Sequence, residues 1–169
     1  MKQGEKTSLV IDYSVTINRF TLLDAYSLPN MEELVNRIAR DKYFNSIDLR
    51  LAYHEVPLLA EERHYTAFEA DGQLFQYKRL PFGVTNGVSA FQRSINEFIK
   101  KHRLKKVYAY LDDLTVIGET LEEHDRNLRC LLDAAAPCNL TINEEKSISR
   151  NCTRDAWLPS SLQTNQARP

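Results

Sequence analysis

The chain predicts an α+β domain in which an antiparallel sheet packs on helices. Three observations carry that expectation. Val107 to Ile117 is a β-branched and aromatic run interrupted by Asp112 and Asp113, which reads as two buried strands joined by a tight turn. Asp71-Gly72 lies between two further strand-like runs, a hairpin signal. Apolar stripes at helical spacing follow capping patterns before Met31 and Leu121. With 169 residues and 43% hydrophobic content, one domain with a real core is expected.

In chain order, Leu9-Val10-Ile11 reads as a short strand after a polar lead. Asn30 with Glu33 three residues on is a capping-box pattern, and Met31, Leu34, Val35 and Ile38 form the stripe of the helix it opens. Tyr43 to Leu49 is the next strand; the acid near its end, Asp48, serves equally as a helix cap. Tyr65–Ala70 and Leu74–Tyr77 flank the Asp-Gly turn, and Leu80-Pro81-Phe82-Gly83 breaks the second of them. Phe91, Ile95, Phe98 and Ile99 mark a helix. Thr120 with Glu123 is a second capping box, opening a helix whose face is Leu121, Leu128, Leu131, Leu132 and Ala135 and which Pro137 ends. Leu140-Thr141-Ile142 reads as a last short strand, with the sheet reaching about four strands and its helices on one face.

Composition narrows the chemistry. A formal net charge of -1 gives no overall nucleic-acid signature, although Lys100, Lys101, His102, Arg103, Lys105 and Lys106 form one basic run, a pattern that suits a solvated face as well as phosphate. Cys130, Cys138 and Cys152 form no Cys-x-x-Cys pair, and His54, His64, His102 and His124 have no zinc-like spacing, so a reducing compartment and packing roles are expected. No apolar stretch approaches membrane-spanning length and no secretory signal follows Met1, so an intracellular protein that is not secreted and has no membrane partner is expected.

The Asp pair is the sharpest signal. Two like charges held against apolar flanks repel unless a cation lies between them, and a hard divalent ion with oxygen ligands suits such a place. YLDD between two apolar strands resembles the YxDD hairpin of reverse transcriptases. FNSIDLRLAYHEV from Phe44, RHYTAF from Arg63 and LPFGVTNGVSAFQ from Leu80 precede it in the order of Ty3/gypsy-type retrotransposon polymerases. LVIDYSVTINRFTLLDAYSLP and LTINEEKS are similar to the flanking family segments, so the resemblance covers about residues 6 to 148.

The resemblance implies a palm-like sheet with a partial fingers subdomain (fingers about 1–40 and 57–85, palm about 41–56 and 86–148) and no thumb. It implies Asp48, Asp112 and Asp113 as catalytic metal ligands for two ions, Mg²⁺ or Mn²⁺. Tyr53 falls where the family places an aromatic steric gate, though a lone tyrosine is also a common core residue. Phe82, Gly83 and Gln92 fall where the family meets the nucleotide. Lys146 falls near a lysine placed to protonate pyrophosphate; an exposed lysine reads equally well. The implied partners are an RNA or DNA template with its primer and deoxynucleoside triphosphates. Ser8 departs from the pattern, because the family has a basic residue there that touches the triphosphate. Residues 149–169 lack apolar periodicity and read as an unrelated or frameshifted, disordered tail. Synonymous codons for Asp155–Pro169, shifted by one base, give MLGYRVAYKRIKPD, similar to the segment that follows in gypsy-type polymerases. Two functions are therefore expected to compete: the catalytic core of an RNA-directed DNA polymerase, or a decayed or repurposed fragment that binds nucleic acid or protein without catalysis.

Overall fold

A computed structural model describes residues 10–49, 52–138, 140–143 and 148–151. The element order is α1 (Ile17–Phe20), α2 (Met31–Ile38), β1 (Tyr43–Asp48), β2 (Phe68–Ala70), β3 (Gln73–Phe75), α3 (Gly87–Lys101), β4 (Val107–Tyr110), β5 (Asp113–Gly118), α4 (Leu121–Ala135) and β6 (Ile148–Asn151). The main sheet has the order β4-β5-β1-β6, and each described pairing within it is antiparallel. The α+β expectation holds. Among the described residues no helix is long and apolar enough to cross a membrane.

Both faces of the sheet are covered. Ile47, Leu114 and Val116 pack with Phe91 and Ile95 of α3 and Leu131 of α4. Phe44 and Ile117 pack on the other side with Leu34 and Ile38 of α2. Helices on one face only were expected, so α2 is a correction. The physical reason is visible in β5, where Leu114 through Gly118 are buried without a break, the pattern of a strand enclosed on both sides.

The caps form as read. Asn30 accepts from the backbone N–H groups of Glu32 and Glu33, and Thr120 from that of Glu123 at 3.2 Å. The Glu123 carboxylate reaches one residue further back, to the Glu119 N–H at 2.9 Å, and also takes Lys106 at 3.1 Å. Asp71 and Gly72 both have positive φ, 50° and 71°, the mirror-image turn that a two-residue hairpin between β2 and β3 needs.

Two expected strands are absent. Val10 to Asp12 has no strand assignment (Leu9 lies outside the described residues); the segment is anchored instead by Tyr13, whose hydroxyl donates to the Thr66 carbonyl. Leu140–Ile142 shrinks to a single bridge between Leu49 and Ile142. The fourth strand is β6, which runs through positions 149–151, past the boundary at 148 expected from sequence. The rest of the expected tail, 152–169, lies outside the described residues.

Candidate active site

The site begins with a turn that the sequence placed one residue too late. β4 and β5 pair from Val107↔Val116 to Tyr110↔Asp113, so the two turn residues are Leu111 and Asp112, while Asp113 opens β5. A two-residue loop needs left-handed backbone, and Leu111 supplies it with φ 54°. Leucine adopts that conformation at a cost of roughly 1–2 kcal/mol. Asp112 is thereby exposed at the tip.

β1 brings the third acid. In its pairing with β5, Asp48 stands opposite Asp113, and the Leu49 N–H donates to the Asp112 carbonyl at 2.9 Å. Three carboxylates from two chain segments therefore share one end of the sheet. The Asp48 carboxylate also accepts from the Asn143 side-chain amide at 2.9 Å, while the Asn143 N–H donates to the Asp48 carbonyl at 2.9 Å. Asn143 lies in the LTINEEKS segment and went unremarked in the sequence. Its only signal there is a polar residue directly after the strand-like triplet Leu140-Thr141-Ile142.

Gln92 is brought to the same turn, but from beneath. It is 0% exposed. Its Oε1 accepts from the Leu111 N–H at 2.9 Å, and its Nε2 donates to the Ala109 carbonyl and to Asn96 Oδ1, both at 3.2 Å. The amide so placed is occupied by the hairpin backbone.

Tyr53 faces the acids from the turn that follows β1. Burial raises its hydroxyl pKa above the ordinary tyrosine value, and the Asp112 charge adds to that. Its ring lies 5.1 Å from Phe82 and 5.2 Å from Phe91, centroid to centroid, and Phe82 also meets His54 edge-on at 5.1 Å. Phe82 is 36% exposed, so this aromatic group presents one ring to solvent. Gly83 is required where it stands. It has φ 88°, and a Cβ there would lie 3.1 Å from the Ile11 carbonyl oxygen. Asn18 holds the same loop by donating to the Gly83 carbonyl at 2.7 Å and accepting from the Thr85 N–H at 2.8 Å. Lys146 and Ser8 lie outside the described residues.

The donor chemistry of Asp48, Asp112 and Asp113 suits a hard divalent cation. Their side chains as placed do not converge: among the described residues no three His, Cys, Asp or Glu side chains form a group that could hold a metal ion. The backbone supplies the proximity, and loading would require the carboxylates to turn toward one another.

Residues 7–153 match the family described as reverse transcriptase (RNA-dependent DNA polymerase). The chain belongs to the reverse transcriptase family. The domain is similar to the Pol polyproteins of the Drosophila melanogaster transposons opus (33% identical over 145 residues, 85% of this chain and 14% of that protein) and gypsy (32% over 143 residues, 82% and 13%), relatives of Ty3/gypsy type. It is also similar to polyprotein P3 of Commelina yellow mottle virus, 30% identical over 145 residues, 86% of this chain and 8% of that protein. The reverse transcriptase domain thus spans a small fraction of the relatives it matches. Its fold resembles the foamy viral protease-reverse transcriptase in complex with an RNA/DNA hybrid (TM-score 0.74, 24% identity, 83% of this chain and 19% of that one). It also resembles the dRH form of that protein in complex with double-stranded DNA (TM-score 0.78, 24% identity, 89% and 26%).

Proposed function

We propose that this reverse transcriptase domain carries the polymerising site of an RNA-directed DNA polymerase, which adds deoxynucleotides to a primer 3′ end on an RNA or DNA template. The observation that carries the reading is the register: Asp48 opposite Asp113, with Asp112 on the adjoining turn. Asp48, Asp112 and Asp113 would hold two Mg²⁺ or Mn²⁺ ions, which when bound lower the charge barrier at the attacking 3′ oxygen and the departing pyrophosphate.

The chain's own residues do the positioning. Tyr53, backed by Phe82 and Phe91, forms an aromatic wall beside the acids that a deoxyribose can rest on and that a 2′-hydroxyl would crowd. Phe82 offers an exposed ring edge for the nucleotide, and Gly83 lets backbone approach it. Gln92 works from below, by fixing the Asp112 turn. The Asn143 amide and backbone N–H tie the 140–143 segment to Asp48 at the end of β1.

The test is a chimera in which residues 7–153 replace the matching segment of a gypsy-type Pol protein. Mg²⁺-dependent primer extension by the chimera, lost in Asp112→Asn, supports the reading. A correctly folded chimera with no synthesis supports the competing reading, a non-catalytic remnant.

A further inference from the structure

We infer that Tyr26 and Asn96 are positioning residues for the Asp112 turn, acting through Gln92 by a directional chain of hydrogen bonds. Its four members are Leu111, Gln92, Asn96 and Tyr26. Each bond's direction follows from the one before. A backbone N–H can only donate, so the Leu111 N–H at 2.9 Å places Oε1 of Gln92 toward the turn. Nε2 must then face the other way, and it does, donating to the Ala109 carbonyl and to Asn96 Oδ1. With its oxygen so used, Asn96 presents Nδ2 to the Tyr26 hydroxyl oxygen at 2.8 Å. Swapping donor and acceptor at Gln92 would break all three of its bonds, and swapping them at Asn96 would set Nδ2 against Gln92 Nε2, although the Tyr26 hydroxyl could serve either amide atom. A single arrangement satisfies the whole chain.

The far end is fixed independently of the hairpin. Asp24 accepts from the Tyr26 N–H at 3.1 Å and from the Arg93 guanidinium at 2.5 Å. That guanidinium lies 4.9 Å from the centre of the Tyr26 ring. The Asp24 N–H donates to Asn86 at 3.0 Å, just before α3 begins. Tyr26 is thus clamped to α3 by charge and by ring contact, and its hydroxyl serves as a fixed acceptor. At the near end, in the turn itself, Leu111 takes φ 54°. A conformation that leucine disfavours persists only where neighbours hold it, and the Leu111 N–H is where Gln92 holds it. Segment 24–26 therefore biases the turn that displays Asp112 through Asn96 and Gln92.

The inference assumes the polymerising role of Asp112, but its test requires no catalysis. Hydrogen exchange at the Leu111 amide is followed by NMR in the full chain, with the Val116 amide as reference. Gln92→Met removes the direct bond. Tyr26→Phe removes only the terminal acceptor, leaving ring, clamp and Gln92 in place. One net hydrogen bond corresponds to roughly two- to tenfold in an equilibrium, so Tyr26→Phe should speed exchange at Leu111 about threefold. Gln92→Met should speed it about tenfold, with Val116 unchanged in both. Asn96→Leu, which cuts the chain one link nearer, should fall between them. Exchange at Leu111 unaltered in Tyr26→Phe and Asn96→Leu while Gln92→Met accelerates it would show that Gln92 acts alone. Equal acceleration at Leu111 and Val116 would show general loosening, and either result overturns the inference.

Discussion

Tyr13 shows how one buried hydroxyl ties stability to pH. The side chain is 2% exposed, its hydroxyl donates to the Thr66 carbonyl, and burial pushes its pKa up to about 12 from an ordinary 10.0, with Tyr77 adding to the shift. The folded-state value is raised, so the stabilisation is complete below pH 10 and is lost as pH climbs toward 12. Tyr13→Phe should cost about 1 kcal/mol at neutral pH, the net value of a hydrogen bond, and should flatten the fall in stability between pH 10 and 12; denaturant melts across that range measure both. At the acids, the wild-type chain is expected to bind Mn²⁺ weakly and Asp112→Asn to lose most of that binding, while the metal-free mutant is slightly more stable through relief of like-charge repulsion. Titration calorimetry that finds equal binding in both proteins counts against a metal site. Tyr53→Ala in the active chimera should admit ribonucleotides, whereas Tyr53→Phe, which keeps the ring, should still reject them; incorporation assays with the two sugars decide. The Asp pair stood out in the sequence as two like charges between apolar strands, whereas Asp48 and Tyr53 were singled out by resemblance. Gln92 was read as a nucleotide contact by resemblance alone. The direction of an amide was not legible, since a glutamine beside Phe91 can satisfy its bonds on backbone or on ligand, and only the fold says that Ala109 and Leu111 are within reach.

Among the elements, the β5–α4 corner is the least forgiving. A Cβ on Gly118 would lie 2.5 Å from the backbone nitrogen of His124, inside the first turn of α4. Backbone atoms yield less readily than side chains, so Gly118→Ala should shift the helix and cost about 1–3 kcal/mol, the usual range for overpacking. Thr120→Ala, which removes only the cap at that corner, should cost about 1 kcal/mol. Thermal unfolding of the two variants should rank them in that order, and a Gly118→Ala protein as stable as wild type would show the corner to be looser than described. These helices were readable because capping and apolar stripes are local signals. The absent strands at Val10–Ile11 and Leu140–Ile142 were not readable, because a strand exists only with a partner. Asn143 binds the end of β1, and Thr141 donates to Glu55 at 2.8 Å, so that segment spends its backbone on single contacts rather than on a ladder. The second covered face did leave a trace. Leu114-Thr115-Val116-Ile117 does not alternate, and a strand with one wet face should.

For the molecule as a unit, charge sets the expectation. Template and primer are held mainly by phosphate contacts spread along a basic surface, and this chain has a formal charge of -1 and spans 14% or less of the relatives cited above. Ser8, where the resemblance implies a basic residue, removes one charged contact worth about 1.5–3 kcal/mol. The isolated chain should therefore extend a primer far more slowly than the chimera, with Ser8→Arg improving the chimera about tenfold or more. Gel-resolved extension assays compare the three, and vigorous synthesis by the isolated chain would overturn the reasoning. The pairing of Asp48 with Asp113 has one more consequence, in time. A ribosome releases Asp48 long before the β4–β5 hairpin exists. That hairpin can close locally within microseconds, but β1 must wait unpaired through β2, β3 and α3 for its neighbour. The two acids meet only after most of the domain has been synthesised, so a stalled or truncated nascent chain ending before Asp113 carries no assembled acid cluster.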